Sequence, residues 1–129
     1  MVRILSYQEV IFITKVAIYC RVDHGSVAYG QFAIEQQKKQ LEQYAKNNGM
    51  RIAGCYTDCG YSGSDLGRPG LVKLQKAWKA GRFDAVIVVR KDRLYRGLLQ
   101  NTPEWPLMVI SLTEREITHE KKNTNRYMR

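Results

Sequence analysis

Two β-branched apolar runs, KVAIYCRV at 15–22 and DAVIVVR at 84–90, contain almost no polar alternation, so each needs cover on both faces. A strand of that kind belongs to the middle of a layered α/β domain. Between the two runs the period changes. Residues 33–48 place Ile34, Leu41, Tyr44 and Ala45 on one helical face, with Gly49 as a stop. A second strand is expected from about Arg51 to Thr57, followed by the glycine-rich polar loop DCGYSGSDLGRPG. Pro69 then suits the first turn of another helix, with Leu71, Leu74, Ala77 and Trp78 facing inward and an end at Gly81. The stretch HGSVAYGQF at 24–32 has two glycines and no steady period, and is expected to be a loop. A strand-helix-strand-helix-strand order implies an α/β three-layer sandwich with a mainly parallel central sheet.

The chain of 129 residues has room for one domain. Its body is expected at 15–113, after an N-terminal extension at 1–14 and before a polar, basic tail at 114–129. Beyond Arg96, GLLQNTPEWP carries Pro103 and Pro106 and leaves no room for a well-formed crossover helix before the strand-like LMVISLT at 107–113. No apolar run approaches the ~20 residues of a membrane span, and no export-signal cleavage pattern follows the first residues. Twenty-one Lys and Arg stand against 12 Asp and Glu, a formal charge of +9, which favours an acidic partner such as a nucleic-acid backbone. Cys20, Cys55 and Cys59 form no C-x-x-C pair and fit a reducing, cytoplasmic setting. His24 and His119 are far apart with no metal-ligand spacing, so a histidine metal site is not expected.

In open α/β sheets ligands bind beyond the carboxyl ends of the strands. The segments beginning at Arg21, Asp58 and Lys91 are therefore the ones to search, and each carries basic or polar residues: Arg21; Ser62, Ser64 and Arg68; Arg90, Lys91, Arg93 and Arg96. Arginines converging at one rim make an anion site, because the guanidinium fork matches phosphate oxygens and stays charged. Gln37 falls on the same helical stripe as Ile34 and Leu41, so its amide either caps a loop or reaches a site at the sheet edge.

Four segments also resemble, in order and at family-like intervals, the motifs of the serine recombinase (resolvase and invertase) catalytic domain: YCRV at 19–22, AIEQQ at 33–37, YSGSDLGRPGL at 61–71 and RKDRLYR at 90–96. The resemblance implies a resolvase-like fold and site-specific DNA strand exchange through a phosphoserine link, without metal or cofactor. By position it implies that Arg21, Arg68, Arg93 and Arg96 face the phosphate and that Asp92 orients them. Gln37, Ser62 and Ser64 would form the supporting polar shell. Arg90 and Lys91 join the arginines as DNA-binding cations.

The family's nucleophilic serine falls where this chain has Asp23. A carboxylate cannot form the same ester, and its charge beside a polyanion would pair with Arg21 or Arg93 and weaken the anion site. The chain is therefore expected to be a catalytically impaired member, shortened after the fourth strand, with DNA as partner and with a homodimer or an intact recombinase as its protein partners. Neither Ser26 nor Cys20 is well placed to replace the serine. Two other readings compete: a non-catalytic DNA-binding or recombinase-modulating module, and a magnesium-dependent nuclease using Asp23, Asp58 and Asp92.

Overall fold

The computed structural model describes residues 3–5, 7–10, 13–23, 27–62, 67–94 and 108–113. Strands β1 (Arg3–Ile4), β2 (Lys15–Val22), β3 (Arg51–Cys59), β4 (Ala85–Val88) and β5 (Met108–Ser111) form one sheet in the order β1-β5-β4-β2-β3. Every pairing between them is parallel. Helices α2 (Val27–Asn47) and α3 (Pro69–Lys79) are the long crossovers, while α1 (Tyr7–Val10) and α4 (Lys91–Leu94) are single turns.

The pleat of β2 sorts its side chains into two cores. Ala17 and Tyr19 pack with Leu71, Leu74 and Ala77 of α3 on one face of the sheet. Val16, Ile18, Cys20 and Val22 pack with Ile34, Leu41 and Ala45 of α2 on the other. The expected three-layer parallel α/β architecture is thus present, and Leu71, Leu74 and Ala77 are buried as their spacing requires. Trp78 is partly buried and lies with its ring centroid 5.8 Å from that of Phe83.

Several local readings are corrected. The loop expected through Phe32 is already helix from Val27 onward. Tyr29 and Phe32 are 60% and 63% exposed, so these turns carry no apolar stripe to reveal them. Gly30 is not a breaker: a Cβ there would come within 2.4 Å of the Cys59 sulfur, and its bareness lets α2 close on the end of β3. Strand β3 runs two residues further than expected, to Cys59, and β4 is shorter, covering Ala85–Val88. Within the segment expected to be an extension, β1 pairs with β5 and Leu5 and Val10 are buried. The prolines at 103 and 106, Trp105 and the tail at 114–129 lie outside the described residues.

The topology places a site. From β2 the chain crosses by α2 to β3 on one side, whereas β4 leads toward β5 on the other. The carboxyl ends of β2 and β4 therefore flank the point where the connections diverge, the crevice in which open α/β sheets hold their ligands.

Candidate anion site at the carboxyl edge of the sheet

Arg21 lies on the α3 side of β2, two residues beyond Tyr19, at the strand end. Its backbone is held by Gln37 of α2: the Arg21 N–H donates to Gln37 Oε1 at 3.2 Å, and Gln37 Nε2 donates to the Arg21 carbonyl at 3.0 Å. The amide thus acts as a strand partner where the sheet ends.

The Arg21 guanidinium is enclosed, at 0% exposure. Nε donates to the Arg93 carbonyl at 2.7 Å and Nη1 to the Tyr61 carbonyl at 2.9 Å. Nη2 donates to the Asp92 carbonyl, and Nη1 forms an ion pair with Asp23 Oδ1. Arg68, also 0% exposed, donates from Nη1 to the Arg93 carbonyl at 3.0 Å and from Nη2 to the Leu94 carbonyl. Two buried cations therefore meet on one carbonyl oxygen at α4, where carbonyls lack intrahelical partners. Arg93 Nη1 returns a hydrogen bond to the Arg21 carbonyl at 3.1 Å.

Asp58, at the end of β3, organises the other side. It is 4% exposed and accepts from the Gly70 N–H at 2.7 Å and the Leu71 N–H at 2.9 Å, capping the first turn of α3 from a neighbouring strand. The Tyr19 hydroxyl donates to Asp58 Oδ2 at 2.7 Å and accepts from Arg68 Nη1 at 3.0 Å, with the Arg68 guanidinium 5.7 Å from the centre of the Tyr19 ring. Burial raises the Tyr19 phenol above its ordinary range, outweighing the opposing Arg68 charge, so the hydroxyl keeps its proton for Asp58.

The residues singled out in the sequence are thus partly gathered. Arg21, Asp23, Gln37, Arg68, Asp92 and Arg93 converge on the ends of β2 and β4. Asp92 forms ion pairs with both Arg90 and Arg93 at 3.4 Å. Arg21 and Arg68, expected to face a phosphate, lie inside and point their donors at main-chain oxygens, the Asp23 carboxylate and the Tyr19 hydroxyl; the outward cations are Arg90, at 57% side-chain exposure, Lys91 and the partly buried Arg93. Ser62 is exposed next to Tyr61, whose carbonyl accepts from Arg21. Ser64, Arg96 and Ser26 lie outside the described residues.

The metal-nuclease reading is not supported. Asp58 is turned onto α3 and Tyr19, and among the described residues no group of three His, Cys, Asp or Glu could hold a metal ion. Cys20 sits in the α2-side core, where burial pushes its thiol up to about 12, leaving it protonated and poorly nucleophilic. Sequence reasoning overlooked Tyr19 and the capping role of Asp58. The signal for Tyr19 was its alternation with Arg21, which puts both on one face of β2.

Comparison with known proteins agrees with this geometry. Residues 16–103 match the family described as Resolvase, N terminal domain. The N-terminal catalytic domain of TP901-1 integrase is 30% identical with a TM-score of 0.67, the match covering 89% of this chain and 98% of that one. The first open reading frame of transposon ISC1904 from Sulfolobus solfataricus is 26% identical with a TM-score of 0.60, covering 77% of this chain and 67% of that one. A resolvase family site-specific recombinase from Streptococcus pneumoniae shares the fold, with a TM-score of 0.61 at 22% identity over 89% of this chain and 91% of that one. No curated protein matches the sequence. A parallel α/β sheet with arginines and a glutamine gathered at its carboxyl edge, together with the match over 16–103, places the chain in the resolvase N-terminal domain family, the catalytic domain of serine recombinases.

Proposed function

We propose that the carboxyl edge of the sheet is a site for a DNA phosphate, inherited from site-specific strand exchange, in which cleavage is disabled because Asp23 stands where the family resemblance puts the nucleophilic serine. One observation carries this reading: the Asp23 carboxylate is ion-paired with the buried Arg21 guanidinium, occupying a donor that an incoming phosphate would use. Phosphoryl transfer depends on positioning and on positive groups fixed where negative charge develops. Arg21 and Arg68 are fixed by the protein's own carbonyls and supply that field from behind. Arg90, Lys91 and Arg93 meet the DNA backbone. A hydroxyl at position 23 would bond to phosphorus as a sugar oxygen departs with a proton; a carboxylate there would give a hydrolysable mixed anhydride instead.

The test is Asp23→Ser, incubated with supercoiled plasmid and with duplex oligonucleotides and resolved under denaturing conditions. A protein–DNA adduct in Asp23→Ser and none in the unaltered chain is the expected result. An adduct formed by the unaltered chain overturns the assignment of Asp23 as the block. Absence of salt-sensitive DNA binding by either protein overturns the phosphate site itself. Three cysteines without disulfides suit a cytoplasmic setting, and among the described residues no helix is long and apolar enough to cross a membrane. Docking on an intact recombinase would use the same fold and is read by that enzyme's activity with and without this chain.

A further inference from the structure

We propose that the free side of β3 pairs with the same strand of a second copy of this chain, antiparallel and centred on Tyr56; the surface is separate from the carboxyl edge and independent of the phosphate reading. Strand β3 ends the sheet and, among the described residues, is paired with β2 alone. It runs nine residues, holds no Lys or Pro, and keeps its two charges out of the way: Arg51 precedes the register shift at Val16 and Ala17, and Asp58 is buried. An unpaired edge is a template for another strand unless it is short, bulged, charged or covered. Here the shift interrupts only its beginning. The Gly60 N–H donates to the Val22 carbonyl at 2.8 Å, so by alternation Asp58, Tyr56 and Gly54 turn their main-chain groups toward β2. Cys55 and Thr57, both exposed, turn theirs outward. Gly70 passes the Thr57 carbonyl without a Cβ, which leaves a lone pair of that oxygen for a second donor.

A second copy fits because this edge is complementary to itself. With a two-fold axis at Tyr56, Cys55 of each strand lies opposite Thr57 of the other and exchanges N–H···O bonds with it. Tyr56 then faces its own counterpart in a non-hydrogen-bonded pair, with Cβ atoms about 4.5–5.5 Å apart. Its ring leans along the edge over Gly54 and packs at the rim of the α3-side core. The charges on α2 select the same register. Gly30 of α2 lies against the Cys59 sulfur, and the helix rises about 1.5 Å per residue where the strand rises about 3.3 Å. The three strand residues from Cys59 back to Tyr56 therefore match about seven of helix, and the axis falls level with the stretch between Glu35 and Lys38. Those two charges, with Glu42, are the ones felt by the Cys55 thiol. Across the axis α2 meets its counterpart running the opposite way, so Lys38 of each copy stands level with Glu35 of the other. Moving the axis one strand residue either way brings Glu35 level with Glu42 or with its own counterpart, like charges in both cases. Exposed ion pairs of this kind fix register more than they add affinity. Antiparallel pairing also points the two carboxyl edges in opposite directions, so the arginine site of each copy stays open.

The test combines sedimentation equilibrium with thiol crosslinking of the full chain, which is expected to show a monomer–dimer equilibrium. Cys55 and Cys59 are exposed and Cys20 is buried. In the paired strands the two Cys55 Cα atoms stand about 8 Å apart and the two Cys59 Cα atoms about 20 Å apart. A short bismaleimide is therefore expected to link Cys59→Ser into a dimer and to leave Cys55→Ser unlinked; the reverse pattern overturns the proposal. Lys38→Glu sets carboxylates level with each other on both sides of the axis and is expected to weaken the dimer about tenfold. Glu35→Lys together with Lys38→Glu exchanges the charges and is expected to restore the dimer to within about twofold of the unaltered chain. Thr57→Pro removes an N–H that faces away from β2, and is expected to leave the chain folded and monomeric. Where Thr57→Pro fails to fold, the charge exchange decides: a double variant as weak as Lys38→Glu overturns the pairing. A chain that stays monomeric at every concentration up to about 0.1 mM overturns it too, as does a dimer indifferent to all of these substitutions.

Discussion

Replacing Asp58 by alanine tests whether one buried carboxylate joins strand β3, helix α3 and the arginine pair. The substitution removes the acceptor for the Gly70 and Leu71 N–H groups and for the Tyr19 hydroxyl. Loss of a helix cap costs about 1–2 kcal/mol. A hydroxyl left without its acceptor adds about 1 kcal/mol. Arg68 keeps its carbonyl partners but loses the nearby negative charge, and removing one member of a buried charged network costs about 3–5 kcal/mol when the pair is in direct contact. Here the contact passes through Tyr19, and the contributions overlap, so about 3 kcal/mol is expected for the whole. With a denaturant slope of about 1.5 kcal/mol per molar, the urea midpoint should fall by about 2 M at unchanged slope. Asp58→Asn retains one carbonyl acceptor and should lose about half as much. A midpoint shift below about 0.5 M for Asp58→Ala would show that the carboxylate does not hold these elements together.

The two glycines packed against β3 should respond differently. Gly70→Ala pushes a methyl onto the Thr57 carbonyl at 2.4 Å, which is backbone, and should destabilise by about 2–3 kcal/mol in urea unfolding. Gly30→Ala meets only the Cys59 sulfur, and since alanine gains up to about 1 kcal/mol in a helix interior, its net change should stay below about 1 kcal/mol and become stabilising beside Cys59→Ala, where the clash is gone. Stability should fall as pH rises above the ordinary thiol value of 9.0, because Cys20 is held protonated in the folded state and its contribution is lost on the way to about 12; Tyr19, shifted the same way, steepens the loss. Urea midpoints between pH 8 and 11 read this, and Cys20→Ala should flatten the curve. For DNA binding, Arg90→Ala and Lys91→Ala should each reduce the slope of log affinity against log salt by about 1, and an unchanged slope would remove that residue from the interface.

Period and punctuation made most of the framework legible. The unbroken apolar runs at 15–22 and 84–90 required central strands, Pro69 and Gly81 bracketed α3, and strand-helix alternation required a parallel sheet with its ligand edge at the carboxyl ends. The start of α2 was not legible, because Tyr29 and Phe32 face outward and Gly30 serves packing against Cys59 rather than a turn. The edge position of β3 was also hidden, since strand order depends on which side each crossover turns.

At the site, residue types along the chain pointed to arginines near strand ends, and alternation along β2 put Tyr19 beside Arg21. Spacing could not say which arginines would be enclosed. That depended on main-chain carbonyls of residues 92–94 meeting the ends of β2 and α3, a contact between segments some seventy residues apart in the chain for Arg21. Nor could it say that Asp58 would cap a helix rather than bind an ion, which follows from Gly70 seating α3 on the end of β3. The local pattern along the chain determined the elements and the edge where chemistry gathers. Tertiary packing decided which charges are buried and what each one holds, because a buried charge persists only where distant backbone dipoles or an opposite charge are brought within hydrogen-bonding distance.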